Sequence, residues 1–255
     1  QPNTPAAGIS LYRFSAGHGG LQCSACHGST HAEFPATHRN DNIRNVKIQG
    51  HAGVTAECTA CHVTMANNAT TAVGGPHGMH PVGQGWVSFH HDAIKSDTDH
   101  LKCAVCHGAD FRGSVLSRTL GPRTLTASLN GGSVSLNLFQ GAMVGCYNCH
   151  NGPRSESLNT SVAPGVSNLT ANTTSGQSVA FTLPVTGVNA TARLISQPAH
   201  GSVGLSNAVA TYFPDPGFVG TDTFTFAAWD GMKNSALATG TVAVAEGPYS
   251  IAVNA

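Results

Sequence analysis

The sequence predicts two unlike parts: an N-terminal segment of loops and short helices with little regular structure, and a C-terminal all-β sandwich. Three observations carry this reading. All eight cysteines fall in the first 149 residues, as four Cys-x-x-Cys pairs, each followed at once by histidine. From Gln1 to about Gly152 the chain is rich in Gly and His and shows no sustained 3.6-residue amphipathic pattern. Beyond Gln177 no cysteine occurs, and short runs of alternating or β-branched residues are separated by turn signals.

A chain of 255 residues has room for two domains. Only 9% of the residues are charged, and Lys plus Arg balance Asp plus Glu at 12 each, so no basic patch points to a nucleic-acid partner. No run of about 18 apolar residues is present to span a bilayer. The chain opens at Gln1 as though a secretory signal had been cleaved, and the expectation is an exported protein, at the cell surface or extracellular.

The cysteines pair as Cys23 and Cys26, Cys58 and Cys61, Cys103 and Cys106, and Cys146 and Cys149, with His27, His62, His107 and His150 directly after them. Four disulfides would be the ordinary reading of eight cysteines in an exported chain. That reading leaves the histidines unexplained. A zinc ribbon needs such pairs to cooperate as four-ligand sets and gives no reason for a histidine after each second cysteine. A thioredoxin-like motif would be single. Covalent haem attachment explains every position: one helix-like turn sets two thiols under two vinyl groups, and the next residue sets an imidazole under the iron. Four haem c groups are therefore expected, with His27, His62, His107 and His150 as proximal ligands.

The sixth iron ligand separates electron transfer from catalysis, because an open face admits substrate. With four Met and ten further His, ligation by two histidines is the economical assignment. His31 and His51 rank first as distal ligands, then His77 or His80 in GPHGMHP, then His18 and His91; of the adjacent His90 and His91, one is expected to face inward. His38 and His100 read as surface or propionate-contacting residues. The aliphatic content of this part is too low for a conventional core, so its fold class is a haem-packed, loop-rich domain.

This domain is expected over residues 1–152, followed by a Ser-, Thr- and Asn-rich linker at 153–164, a sandwich at 165–247 and a tail at 248–255. The strand candidates are SVAFTLPV, ATARLISQ, AVATYF, DTFTFAAWD and ATGTVAVAE.

Within the sandwich, Pro214-Asp215-Pro216-Gly217-Phe218 leads into Gly220-Thr221-Asp222-Thr223-Phe224. With QPAHGSV and ATGTVAVAE around it, this resembles the bacterial immunoglobulin-like or cadherin-like repeats of secreted adhesins. His200 lies inside the repeat and is excluded as a haem ligand. Asp215, Asp222 and Asp230 offer oxygen ligands to Ca²⁺, although the capping of turns is the favoured role.

The segments CHGSTHAEFP, GHAG, GPHGMHPVGQGWVSFHH and CHGADFRGSVLS, over residues 17–150, resemble the multihaem cytochromes of metal-respiring bacteria, in particular the OmcE-type tetrahaem cytochromes of extracellular nanowires. The resemblance implies closely stacked haems with two histidines each. It also implies that a histidine of one subunit, with His18 and His31 as candidates, ligates a haem of its neighbour. The fourth haem has no histidine downstream before the sandwich, so its ligand folds back from upstream or arrives from another chain, and the expectation is that His18 or His31 crosses to it in a head-to-tail filament.

Three function classes follow: an extracellular electron conduit, a soluble periplasmic electron shuttle, and a multihaem oxyanion reductase. The conduit is preferred. Surplus histidine argues against the open iron an enzyme needs, and a shuttle has little use for an adhesin-like appendage. The expected partners are further copies of the chain, and redox proteins or extracellular electron acceptors.

Overall fold

A computed structural model of the chain describes residues 21–28, 39–55, 57–63 and 76–247. The described residues are mostly β-sheet with few short helices, and they fall into two compact units that divide between Thr160 and Ser161. None of the described helices is long and apolar enough to cross a membrane.

In the N-terminal unit the Cys-x-x-Cys-His segments each make one turn. The first is α1, Ser24–His27. The second and fourth are single 3₁₀ turns at Cys58–Ala60 and Cys146–Asn148. In these three the histidine N–H donates to the carbonyl of the first cysteine, at 2.9 Å from His27 to Cys23, 2.9 Å from His62 to Cys58 and 2.8 Å from His150 to Cys146. Two helices precede the third motif: α2, Arg39–Gln49, and α3, Gln84–Phe89. The third motif closes α4, Asp97–His107, which Ser96 caps by accepting from the Asp99 N–H. The helix stops at Gly108, whose φ is +87° and where a Cβ would stand 2.8 Å from the Gly113 carbonyl oxygen.

Regular β-structure enters this unit where loops were expected. Strands β1, Arg123–Leu129, and β2, Gly132–Leu138, form an antiparallel hairpin around Asn130-Gly131, with Leu129 opposite Gly132. Its alternation of Leu or Val with Thr and Ser, closed by Asn-Gly-Gly, is a hairpin pattern with one apolar face. The apolar side chains buried here are Ala104, Val105, Leu138, Phe139, Ala142 and Met143, whereas Leu21, Ile43, Val46, Phe89 and Leu101 stay exposed.

The stretch expected to be a linker is built onto the fourth motif as far as Asn159. The Asn151 N–H donates to Ser157 O at 2.9 Å, the Asn159 N–H to Cys149 O at 2.8 Å, and Asn159 Nδ2 to Tyr147 O at 2.6 Å. Ser and Asn suit a flexible tether by composition, but here their polar groups satisfy carbonyls that the irregular fourth motif leaves open.

The C-terminal unit is the expected sandwich. It contains β3 (Gly165–Val166), β4 (Leu169–Thr174), β5 (Val179–Thr182), β6 (Val185–Thr186), β7 (Thr191–Ser196), β8 (Gly201–Ser206), β9 (Val209–Pro214), β10 (Gly220–Trp229) and β11 (Ala238–Ala245). One sheet runs β4-β11-β10-β7 with β11 and β4 parallel, another runs β5-β9-β8, and β3 pairs with β6. Tyr212, Phe224, Phe226, Val203, Val242, Val244 and Leu183 form the core. Each such side chain contributes about 1.5–3 kcal/mol by leaving water.

One polar group is buried beside that core. The Asp222 carboxylate, 4% exposed, accepts from the N–H groups of Ala199, His200 and Thr223 and from the Tyr212 hydroxyl, each at 3.0 Å. Asp230 Oδ1 accepts from the N–H groups of Met232 and Lys233 at 2.8 and 2.7 Å. Both carboxylates close turns. Replacing Asp222 with Ala leaves several donors unmet and should cost about 3 kcal/mol. Calorimetry of the full chain should show the β-unit melting more than about 10 °C lower, and Asp222→Asn should fall between the two.

Candidate functional site

The chemistry-bearing residues gather in the N-terminal unit, and each is held by backbone. The ring of His107, last in α4, lets its Nδ1 donate to Val144 O at 3.0 Å. His150 donates likewise to Ser155 O at 2.6 Å, His80 to Pro81 O at 2.7 Å, and His90 to Val87 O at 2.9 Å. A proton committed to Nδ1 in this way leaves Nε2 as a lone-pair donor, which is the form a metal takes. Burial lowers the pKa of His107 and His90 and pushes His80 down to about 4, so these rings are neutral around pH 7.

Among the described residues, three motif histidines each face a second imidazole. The centroids of His107 and His80 stand 6.0 Å apart with planes 13° from parallel. His27 faces His77 at 6.2 Å and 73°, and His150 faces His90 at 5.8 Å and 77°. Two rings bonded from opposite sides to one metal atom, with bonds of about 2 Å, have centres about 6 Å apart. The spacing is the one that a single metal atom between two rings would require.

The sequence candidates separate on this geometry. His77 and His80, offered as alternatives, each face a different motif histidine. Of the adjacent pair it is His90 that turns inward; His91 is 65% exposed beside Asp92. The signal was present in the sequence, since His90 follows Trp86 by four residues and continues the face of α3, whereas His91 is turned about 100° away. His51 directs Nε2 at Glu57 Oε1, 3.3 Å away, and that oxygen also accepts from Arg123 Nη2 at 2.9 Å. Gly121 leaves room for this ring, since a Cβ there would lie 2.6 Å from His51 Cδ2. His100 Nε2 lies 3.2 Å from Pro153 O. His62 is exposed. His18, His31 and His38 lie outside the described residues.

The fourth motif was expected to take its second histidine from another chain. His90 of the same chain stands there instead, because the segment after α3 folds back to it.

No disulfide joins the eight cysteines. Burial pushes the Cys146 thiol up to about 12 and also raises Cys26, Cys103 and Cys106, so these side chains are neutral thiols. Among the described residues no group of three or more His, Cys, Asp or Glu side chains is placed to hold a bare metal ion. The four pairs therefore do not converge as in a ribbon.

For the C-terminal unit, the family model of the bacterial Ig domain matches residues 157–245. That unit is a bacterial Ig-like domain. No curated protein matches the chain. Solved structures similar to it include two endo-fucoidan hydrolases of glycoside hydrolase family 107, MfFcnA4 at 14% identity and TM-score 0.27 and MfFcnA9 at 16% and 0.26. They cover 53% and 52% of this chain, and 20% and 23% of theirs. A SusE-like surface located polysaccharide binding protein from Bacteroides thetaiotaomicron matches at 12% identity and TM-score 0.26, over 49% of this chain and 24% of that one. The chain thus spans about a quarter or less of the length of the structures it matches.

Proposed function

We propose that the chain is an electron-transfer protein that holds four haem c groups, one on each cysteine pair, and that it works outside the cell as part of an electron conduit. The observation that carries this reading is the placing of His77, His80 and His90 opposite His27, His107 and His150 at the separation one shared iron needs. In this reading the cysteines form neutral thioethers, the motif histidines are proximal ligands, and the other three are distal. Each haem, when bound, supplies a one-electron iron couple. The protein would supply two imidazoles to each of three irons, with His80, His90, His107 and His150 oriented by their Nδ1 bonds, and so leaves no position for a substrate there. Exposed Leu21, Ile43, Val46, Phe89 and Leu101 favour the same reading, because a unit with so small an aliphatic core gains from macrocycle faces that cover such side chains.

Assembly is part of the proposal. In this reading His18 or His31 of one subunit ligates a haem of its neighbour. A contact of this head-to-tail kind does not close and generates a filament. The Ig-like domain would then decorate or anchor the filament at the cell surface.

Haem content is tested first: mass spectrometry of the denatured holoprotein should show four covalent haems, and Cys58→Ala should show three or fail to be exported. Unmodified cysteines in the native protein would end the proposal. Spin state tests the ligands. All native irons should be low-spin and slow to bind carbon monoxide, and His77→Ala, His80→Ala and His90→Ala should each make one iron high-spin while His91→Ala changes nothing.

Two truncations test the boundary. A chain ending at Thr160 should keep four low-spin haems, whereas one ending at Gly152 lacks the Ser155 carbonyl that orients His150 and should lose or perturb the fourth. For assembly, electron microscopy of His18→Ala and His31→Ala should show one of them without filaments and with one high-spin iron. A native protein that is monomeric with every iron low-spin would remove the inter-subunit ligand.

A further inference from the structure

Between the two distal histidines on residues 80–90 lies an indole. Trp86 stacks on His80 with centroids 4.1 Å apart and planes 7° from parallel. Its ring also approaches His90, at 6.3 Å and 43°. The helix α3 that carries it is sutured to β1 by a pair of bonds, Gln84 Nε2 to Thr126 O at 2.7 Å and Thr126 N to Gln84 Oε1 at 2.8 Å. The indole is thus fixed relative to the hairpin.

We infer that Trp86 is a positioning residue that sets the ring plane of His80 as distal ligand of the third haem. The inference deepens the proposed function and rests on it. The bond from His80 Nδ1 to Pro81 O fixes one edge of the imidazole but leaves rotation about the line of that bond. A flat indole face at stacking distance removes that rotation, because turning the imidazole drives its edge into the indole. His90 has the corresponding carbonyl bond to Val87 but meets Trp86 at a tilt, so the indole acts on the two rings differently.

The ring plane has an electronic consequence. Each ligating imidazole interacts with the iron d orbitals of π symmetry in a direction set by its plane. Parallel planes split two of those orbitals, and perpendicular planes leave them nearly equal. The 13° angle of His80 and His107 therefore gives a rhombic low-spin electron paramagnetic resonance signal, while the 73° and 77° angles of the other two pairs give strongly anisotropic ones.

The test is the oxidised full-length holoprotein with Trp86→Leu and Trp86→Phe, compared with the unsubstituted chain by haem mass, optical spin state and paramagnetic resonance. Trp86→Leu should keep four covalent low-spin haems yet lose or broaden the rhombic signal as the His80 ring rotates, leaving the anisotropic signals in place. Trp86→Phe, which restores a flat face, should recover the rhombic signal. An unchanged rhombic signal in Trp86→Leu overturns the inference. So does the loss of haem in both variants, which makes Trp86 a folding element only. Failure of the underlying reading is separate, since it appears in the unsubstituted protein as missing haem or as high-spin iron.

Discussion

Pro81, Val87, Val144 and Ser155 each turn a backbone carbonyl toward the Nδ1 of a histidine, and the arrangement of the N-terminal unit follows from keeping those carbonyls in place. Val87 offers its carbonyl near the end of α3, where helical carbonyls have no partner further along, and Pro81, Val144 and Ser155 lie outside regular elements. The Val144 carbonyl also accepts from Ser117 Oγ at 2.7 Å, and the nearby Ser117–Ser114 capping turn ties it to the third motif through the Ser114 hydroxyl, which donates to Cys106 O. Turns and helix ends leave these carbonyls available to the rings.

The two units solve the problem of stability in different ways. The Ig-like domain closes two sheets over aromatic side chains, and it can carry one buried carboxylate because Asp222 receives a full set of donors. Among the described residues of the N-terminal unit, Phe139 is the one aromatic side chain in the buried apolar set. It replaces mass in the core with directional contacts: Arg44 to the carbonyls of Ser24 and Ala25, Asn45 to those of Cys26 and Gly53, and Gln49 to Gly53. These are bonds from α2 to the first two motif regions. They fix where the motif residues sit through polar bonds and not through apolar packing.

Much of this was legible in the sequence, and the part that was not has particular causes. Cys-x-x-Cys-His spacing dictated a turn at each motif, and such turns are present. The five apolar runs of the C-terminal part became strands, from Val179 in β5 to Ala245 in β11, because period-two alternation over a buried face has few other solutions. By contrast β1 and β2 are rich in Thr and Ser and read as loop, although Asn130-Gly131 marked the turn. β4 was hidden in the same way inside a Ser-, Thr- and Asn-rich stretch. The surroundings of His51 were illegible for a different reason. Its partner Glu57 is near in sequence, but the group that holds Glu57 is Arg123, 66 residues further on, and no local pattern reports such a contact. The choice between His90 and His91 turned on helical phase, which a six-residue helix hardly announces.

Placing His80, Trp86 and His90 on one short segment has a cost that the hairpin offsets. Two rings that serve different motifs must hold their positions to a fraction of an ångström, yet Gly83 and Gly85 loosen the chain between them, and α3 is too short to be stable alone. The pair of hydrogen bonds between Gln84 and Thr126 supplies the missing rigidity by giving the helix a strand-like partner, and Arg123 adds a second tie by donating to Val82 O at 2.9 Å. Arg123 is the same residue that grips Glu57, one position before Cys58. The hairpin therefore links the segment bearing His80 and His90 to the second motif, although its sequence reads as filler. A change at Arg123 acts on both at once, which is the sense in which β1 belongs to the site.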